Sequence, residues 1–471
     1  FWGKKYKELT NNLLKLEPGT NSDSASKLEE SIKTTSIMKT MLQSLSLPEF
    51  PALKLKRERK NKFLLYSNEL SWSGAPRSLL RIAKVLIKHG YNVDVWSLYD
   101  GDLRAEYDKL NVPVKICDYN NADYAFAVAN YDLCIVNAAI SYKFYYVISK
   151  YLPTIWYIRE ATNLVDIARG NLGMDEVLQE SIDMVCVSEY AKQYITSSYN
   201  KNVYVVPNCV EDKYTGVKKS FDAKKIVFTT LGTIEPRKGY DIVVEAVKLL
   251  PKSYADRIEY RIAGRVLDYC KNWANQLLED IKGTKNIVYL GEITREEDLC
   301  KVYSQTDIVV VSSRDESCSL VALEGAMFGK PLIVTENTGA KYIVTEENGY
   351  VVRTASAQAL ADAIMRFMDK SADEIYAMGN FSRAKYNEMA SMEYYEKCIL
   401  GMIEDKLACP TVHIEPPRTS KLIVPIIMAT NQNYAPYVAV TIQSILENAS
   451  PNYYYDIYVF YTELEKERYE G

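Results

Sequence analysis

The chain has 471 residues, of which 48% are hydrophobic and 25% charged, the proportions of a globular protein with roughly two to four domains. Its 57 Lys and Arg against 61 Asp and Glu leave a formal net charge of -4, which gives no reason to expect nucleic-acid binding. The nine cysteines are scattered without a CxxC pair, so they indicate neither a disulfide framework nor a zinc site and fit a reducing compartment.

Residues 1–61 are polar and are predicted to be a helical lead-in ending in the basic run "KLKRERKNK". One interpretation of that run is a solvated segment, and the other is docking on an anionic membrane surface. No apolar run approaches the ~18 residues of a membrane span. We therefore expect a cytoplasmic protein, with peripheral contact at the inner membrane face under the second interpretation. Because the chain lacks an initiator methionine and stops inside a structured pattern, we expect a piece of a longer protein.

From Phe63 the pattern is strand, loop, helix, repeated. "KFLLYS" is a short buried strand, "NELSWSGAPRS" a loop, and "LLRIAKVLIKHG" an amphipathic helix with Gly90 where a helix-ending glycine belongs. Further strands are predicted at "YNVDVWSL", "DLCIVN", "PTIWYI", "DMVCVS" and "NVYVVPN". Strands that alternate with helices predict a parallel sheet covered on both faces.

The pattern restarts at "KKIVFTTLG", which predicts a second unit of the same kind. The predicted fold class is therefore α/β, with two Rossmann-like domains that split near residue 215 and bind a ligand in the crevice at the carboxyl ends of their strands. The predicted segments are an N-terminal domain over 62–215, a C-terminal domain over 216–385, a helix over 386–408 packing back on them, a Pro-rich linker over 409–420, and a fresh strand-loop-helix unit over 421–471.

Two glutamates in "ESCSLVALEGAMFGKPLIV" are the first candidate site residues. Glu316 is expected on the loop before a helix with Ser319 as its N-cap, and Glu324 inside that helix. Eight residues of helix rotate by only about 80° beyond two turns, so both carboxylates can address one elongated ligand. The N–H groups of residues 318–320 suit a phosphate between them. A nucleotide sugar has these features, although two solvated surface charges are the alternative.

The second unit adds two cations in "GTIEPRKG". Arg237 and Lys238 are predicted on the loop after its first strand, facing the same crevice. Two fixed cations there would stabilise a leaving nucleoside diphosphate without a metal. An ordinary basic loop is the alternative.

These residues resemble glycosyltransferase family 4, retaining enzymes of the GT-B fold, over roughly residues 62–405. The resemblance rests on "VYVVPNCVED", "LGTIEPRKGYDIVVEAVKLL", "RIAG", "VYLGEI" and "DESCSLVALEGAMFGKPLIVTENTGAKYIVTEENGYVV". It implies that Glu316 binds the donor sugar, Glu324 the ribose, and Arg237 with Lys238 the diphosphate, in a metal-independent front-face reaction. The full set of donor-site positions that it implies is Gly74, Gly232, Arg237, Lys238, Gly264, Glu316, Ser317, Cys318, Ser319, Leu320 and Glu324, with Glu316, Lys238 and Arg237 as the catalytic ones.

The chain departs from that family in the N-terminal domain. Many members have a histidine at the crevice, where this chain reads "WYIREATN". Arg159 and Glu160 are therefore the acceptor-side candidates. His89 ends a helix, where a cation is ordinary, and His413 lies in the predicted linker. Asp100 and Asp102 form a DxD, the pair that metal-dependent transferases use, but a polar turn is the simpler interpretation.

The tail carries a second resemblance, to the start of a family 8 glycosyltransferase of GT-A fold. It rests on "VPIIMATNQNYAPYVAVTIQSILENAS" and "YYYDIYVFYTEL". It implies a nucleotide site at Ala429, Thr430, Asn431 and Tyr434. A complete domain of that kind is expected to use Mn or Mg, at a metal site beyond this chain.

Together these patterns predict a hexosyltransferase-type glycosyltransferase in surface polysaccharide or glycoconjugate assembly. The expected partners are a UDP- or GDP-sugar and a glycan or lipid-linked acceptor, without nucleic acid, and no cofactor or metal is expected for the GT-B unit. Two alternatives stay open: a GT-B nucleotide-sugar epimerase, and a catalytically silent sugar-nucleotide-binding scaffold.

Overall fold

The computed structural model describes residues 60–407 apart from 117, 182–183, 202 and 217–219, and beyond them 422–431, 453–462 and the helical positions 438, 441, 442 and 445. The predicted lead-in up to residue 59, the predicted linker and His413 lie outside the described residues. Residues 60–407 fall within one compact unit, whereas the two strands after residue 421 belong to another.

The first half of the larger unit is a parallel sheet of seven strands in the order β3-β2-β1-β4-β5-β6-β7. This is a doubly wound order, in which the connection reverses between β1 and β4. The strands are β1 Lys62–Ser67, β2 Asn92–Ser97, β3 Val114–Ile116, β4 Leu133–Asn137, β5 Thr154–Tyr157, β6 Met184–Cys186 and β7 Tyr204–Val205. The helices are α1 Gly74–Lys88, α2 Arg104–Lys109, α3 Asn121–Asn130, α4 Tyr142–Ile148, α5 Leu164–Gly170, α6 Met174–Glu180 and α7 Glu189–Tyr199.

The second half is a parallel sheet of six strands in the order β10-β9-β8-β11-β12-β13. Here the connection reverses between β8 and β11. The strands are β8 Ile226–Leu231, β9 Ile258–Ala263, β10 Ile287–Tyr289, β11 Ile308–Val311, β12 Leu332–Thr335 and β13 Gly349–Val352. The helices are α8 Tyr240–Lys248, α9 Lys252–Ala255, α10 Lys271–Lys282, α11 Glu296–Gln305, α12 Leu320–Met327, α13 Ala357–Met368, α14 Ala372–Met389 and α15 Met392–Leu407.

Burial explains why these segments take these forms. Every residue of β8 is buried, as expected for a central strand with helices on both faces. Helix α1 buries Leu79, Ile82 and Leu86 at three- and four-residue steps, and the chain leaves it through Gly90 at φ +81°. The predicted α/β fold with two parallel sheets is therefore confirmed.

The segment predicted as one helix over 386–408 contains the end of α14 and all of α15. The two helices separate at Ala390, and the Ser391 hydroxyl accepts a hydrogen bond from the Tyr394 N–H (3.3 Å) at the start of α15. The side chain of Tyr386 donates to the Val210 carbonyl (3.0 Å), which ties α14 to the end of the first domain.

The smaller unit contains two strands, β14 Leu422–Asn431 and β15 Tyr453–Thr462, paired in parallel from Leu422 opposite Tyr453 to Asn431 opposite Thr462. A parallel pair needs a crossover between its strands, which agrees with the predicted strand-loop-helix pattern. Its assignment as a GT-A domain stays a prediction.

Candidate functional site

The loops after β8 and β11 meet where the second sheet reverses its connection, the place where doubly wound sheets bind ligands. The Arg314 N–H donates to the Arg237 carbonyl (2.7 Å), and the Ser312 hydroxyl donates to the Lys238 carbonyl (2.8 Å). A Cβ on Gly239, at φ +69°, would lie 2.2 Å from the backbone carbonyl oxygen of Ser312. The two loops therefore form one rigid surface over the strand ends.

Glu316 and the two predicted cations lie together on this surface. The Glu316 carboxylate forms a salt bridge with the Lys238 ammonium, and the Arg237 Nη1 lies 3.2 Å from the same carboxylate oxygen. Arg237 also donates to the Asp315 carbonyl (2.9 Å). The Glu316 and Lys238 side chains are largely buried, at 14% and 15% exposed. The sequence predicted this grouping, and the structure places all three side chains in contact.

The charges of this cluster set the protonation of Glu316. Burial acts to raise its pKa, but the adjacent Lys238 and Arg237 outweigh burial and hold the pKa below its usual value. The carboxylate is therefore ionised at neutral pH, and the cluster is an ion network rather than a neutral hydrogen-bonded group.

Glu235 is a member of the cluster that the sequence analysis missed. Its carboxylate accepts hydrogen bonds from Arg237 (2.9 Å), Thr233 (2.7 Å) and Tyr269 (2.5 Å). It binds Nη2 of the Arg237 guanidinium, whereas Glu316 contacts Nη1. Its position two residues before Arg237 in "TIEPRKG" is a signal that could have identified it.

Two predicted glycines lie beneath this loop. The Gly232 carbonyl accepts a hydrogen bond from the Tyr240 hydroxyl (2.8 Å), and a Cβ on Gly264 would lie 1.6 Å from that carbonyl oxygen. A Cβ on Gly232, at φ +133°, would lie 3.7 Å from the Lys238 side chain. These glycines let β8 and β9 end in close backbone contact, directly under the cation.

Helix α12 begins at Leu320, and its N-cap is Ser319 as predicted, because the Ser319 hydroxyl accepts a hydrogen bond from the Ala322 N–H (3.4 Å). Glu324 lies on the same helix and accepts a hydrogen bond from the Tyr303 hydroxyl (2.6 Å). Burial raises the pKa of Glu324, and the Tyr303 hydrogen bond opposes that shift. No sequence signal singled out Tyr303, because α11 approaches α12 only in the folded chain.

Glu324 faces a cavity of about 170 Å³ between the two domains. Helix α1 of the first domain supplies Arg77 and Arg81 to one wall, and their positive charges act to lower the pKa of Glu324. Trp72, just before α1, also lines the cavity and is 53% exposed. The predicted Gly74 is the exposed first residue of α1, with open space around it. The cavity beside Glu324 thus has walls from both domains.

The acceptor-side candidates lie at the carboxyl end of β5. Arg159 donates to Asn137 (2.9 Å) and Asn208 (3.4 Å), and its guanidinium stacks 3.5 Å over the Tyr157 ring. Within the described residues its buried Nη2 has no hydrogen-bond partner. The Glu160 carboxylate accepts the backbone N–H groups of residues 139 and 159 at 3.1 and 2.8 Å, and burial raises its pKa. Glu160 therefore holds the local backbone.

The remaining polar candidates have local partners. Asp100 accepts a hydrogen bond from Arg104 (2.7 Å) and one from the Gly101 N–H (2.9 Å), which fits the polar turn. His89 ends α1 with its ring 3.4 Å from Glu396. Over the described part of the chain, no three His, Cys, Asp or Glu residues are grouped to hold a metal.

In the smaller unit, the predicted positions 429–431 form the last three residues of strand β14. Tyr434 lies outside the described residues. Their assignment to a nucleotide site stays a prediction.

The region around the ion cluster matches a known family. Residues 215–385 match the family profile described as "Glycosyl transferases group 1". Those residues are therefore similar in sequence to a group 1 glycosyltransferase domain. The matched region contains the ion cluster of Arg237, Lys238 and Glu316, and also Glu324.

Curated relatives match over part of their length. A mannosylfructose-phosphate synthase of Agrobacterium fabrum is 28% identical over 127 residues, or 26% of this chain and 28% of the relative. The D-rhamnosyltransferase WbpZ of Pseudomonas aeruginosa is 32% identical over 110 residues, which are 23% of this chain and 29% of WbpZ. An uncharacterized glycosyltransferase of Methanocaldococcus jannaschii is 22% identical over 246 residues, which are 52% of this chain and 64% of the relative. The chain thus spans less than two thirds of the length of these relatives.

Solved structures share the fold over nearly their whole length. HepE of Anabaena, in complex with UDP and glucose, aligns with TM-score 0.59 and 16% identity over 73% of this chain and 99% of HepE. Sucrose-phosphate synthase of Thermosynechococcus elongatus aligns with TM-score 0.59 and 17% identity over 74% of this chain and 100% of the synthase. These likenesses confirm the predicted GT-B arrangement of the two sheets.

The described helices contain no stretch that is both long and apolar enough to cross a membrane.

Proposed function

We propose that the chain is a retaining hexosyltransferase that binds a nucleoside-diphosphate sugar in the crevice between its two Rossmann-like domains. The observation that carries this proposal is the contact of Glu316 with Lys238 and Arg237 at the reversal point of the second sheet, inside the region that matches group 1 glycosyltransferases. Desolvating charges is costly, so an ordinary pair of surface loops is not expected to gather two cations and two carboxylates in a cluster in which Glu235, Lys238 and Glu316 are largely buried.

In this proposal the cations hold the donor diphosphate. The Lys238 ammonium and the Arg237 guanidinium are fixed by Glu316 and Glu235, so they need little reorganisation to stabilise charge that develops on a leaving phosphate. The diphosphate competes with the Glu316 carboxylate for Lys238. Glu316 then becomes available to hold a hydroxyl of the transferred sugar.

The proposed reaction forms one bond and breaks one bond at the same carbon. The acceptor hydroxyl oxygen bonds to the anomeric carbon as the bond from that carbon to the diphosphate oxygen breaks, and the hydroxyl proton passes to the departing diphosphate. Attack from the face of the leaving group retains the anomeric configuration. The two fixed cations balance the leaving charge, so the proposal needs no metal in this unit.

Glu324 is proposed to bind the ribose diol. Its carboxylate lies in the cavity between α1 and α12, held by Tyr303, where it could accept two hydroxyl hydrogen bonds. HepE was crystallised with UDP-glucose, so UDP-glucose is the first donor to test here, and a GDP-sugar the second.

The proposed acceptor is a glycan or lipid-linked sugar in surface polysaccharide or glycoconjugate assembly. WbpZ, a D-rhamnosyltransferase, is one relative consistent with such a role. Membrane contact through the basic run before β1 and a cytoplasmic location stay predictions, as does the GT-A assignment of residues 421–471.

The test is a donor panel with product analysis. Wild type and Glu316→Gln are incubated with UDP-glucose, other UDP-sugars and GDP-mannose, with simple sugar and lipid-linked acceptors, and nucleoside diphosphate release is measured. The control variant is Lys282→Ala, an exposed lysine that forms a salt bridge with Glu279 on α10. Transfer by wild type and control, with loss in Glu316→Gln, supports the proposal.

Two outcomes contradict it. Conversion of the donor to another nucleotide sugar without release of the diphosphate assigns the epimerase alternative. Tight nucleotide binding without turnover of any donor assigns the silent scaffold.

A further inference from the structure

The loop that carries Glu316 is also held by the first domain. The Ser188 hydroxyl, 1% exposed as a residue, donates a hydrogen bond to the Ser317 carbonyl (2.6 Å). The Tyr190 hydroxyl donates to the Asp315 carboxylate (2.9 Å). These two bonds reach residues on either side of Glu316, from the start of helix α7.

The surroundings of these bonds leave little freedom. The Ser188 hydroxyl also accepts the Ala191 N–H (3.1 Å) as the N-cap of α7, so its direction is set by the helix. A Cβ on Gly339 would lie 1.8 Å from the Ser317 oxygen and 2.4 Å from the Ser188 oxygen. Glycine at this position is what allows the two domains to approach there.

From its own domain, Glu316 is held through its backbone and its carboxylate. The Glu316 N–H donates to the Asn337 carbonyl (3.0 Å), and the Gly339 N–H donates to the Glu316 carbonyl (2.7 Å). The second domain therefore fixes the peptide units before and after Glu316, and the first domain holds the neighbouring residues Asp315 and Ser317. A rotation between the domains would pull on the loop at Ser317 and Asp315.

We propose that Ser188 and Tyr190 are positioning residues through which closure of the first domain sets the orientation of Glu316 toward the transferred sugar. The proposal rests on the proposed function, since it gives that function's carboxylate a dependence on domain closure. Neither residue touches the proposed diphosphate cations, which are held within the second domain by Glu235, by Glu316 and by the Asp315 carbonyl. Loss of the two bonds should therefore affect turnover much more than nucleotide binding.

The experiment compares the double variant Ser188→Ala, Tyr190→Phe with a double control. Tyr199→Phe removes a tyrosine–aspartate hydrogen bond from the same helix, but one to Asp175 within the first domain (3.0 Å). Ser356→Ala removes an N-cap hydroxyl from α13 without touching the other domain. The measurements are amide hydrogen exchange of the peptide over 313–319, UDP affinity by calorimetry, and kcat with KM for the donor.

Two lost hydrogen bonds should speed exchange of the 313–319 amides by about 5- to 30-fold in the test variant. We expect kcat to fall by a similar factor while UDP affinity stays within about threefold, and the control to match wild type in all three. Unchanged exchange, or a kcat loss matched by the control, overturns the proposal. If the wild type transfers no sugar from any donor, the proposed function fails, and the exchange result still decides whether these bonds hold the loop.

Discussion

Replacing Lys238 by alanine is the most direct test of the ion cluster. In the structure its ammonium forms a salt bridge with Glu316, and both side chains are largely buried. Under the proposed function the substitution removes a charge-assisted contact to the donor diphosphate, and such a contact typically contributes about 1.5–3 kcal/mol. At about 1.4 kcal/mol per tenfold, UDP affinity should fall by roughly 10- to 150-fold. The upper part of that range is favoured, because Glu316 would keep its charge next to the diphosphate with only Arg237 to balance it.

Glu316→Gln should not weaken UDP binding, unlike Lys238→Ala. The pair of variants therefore distinguishes the loss of a diphosphate contact from a general loss of folding. It removes the carboxylate that competes for Lys238, so UDP should bind at least as tightly as to wild type while sugar transfer falls. Calorimetric titration with UDP measures both variants, with Lys282→Ala as the exposed-lysine control. Thermal unfolding of each variant checks that the fold is intact.

The reasoning is refuted if Lys238→Ala binds UDP within threefold of wild type. It is also refuted if Glu316→Gln loses UDP affinity as strongly as Lys238→Ala, because the carboxylate would then be a nucleotide ligand rather than a competitor.

Four further outcomes are expected. Because burial raises the pKa of Glu324, uridine affinity should fall as the pH is lowered through that pKa. The Tyr303 hydrogen bond lowers this pKa, so Tyr303→Phe should move the midpoint of the affinity–pH curve to higher pH. Calorimetry across pH measures the midpoint, and the same midpoint in the variant and the wild type counts against the prediction. Gly264→Ala should lower the free energy of unfolding by about 1–3 kcal/mol or more in urea, since its Cβ cannot fit beside the Gly232 carbonyl. A chelator should leave transfer by the GT-B unit unchanged, and recovery of lost activity with Mn²⁺ would contradict that. Deleting residues 410–471 should preserve that transfer and improve solubility, whereas loss of activity would make the tail part of the first unit.

The alternation of buried strands and amphipathic helices was enough to predict both parallel sheets, since each pattern is local and periodic. The β8 run "IVFTTL" is apolar or small throughout and is fully buried, as a central parallel strand requires. The N-cap at Ser319 could be predicted for the same reason, because a cap depends on the next three residues only. The sequence also predicted that Arg237 and Glu316 lie at one edge of the second sheet, because the loops that follow parallel strands all lie at the carboxyl edge of the sheet.

Only the folded chain decided which distant side chains contact the candidate site residues. The hydrogen bond from Tyr303 to Glu324 depends on how α11 approaches α12, which no local pattern contains. The same holds for Ser188, which is 129 residues before the carbonyl it binds. Such contacts are set by how segments that are distant in the chain pack together, so the sequence by itself determined the two sheets and the edge where the candidate site lies, and the tertiary structure decided the network that holds Glu316 there.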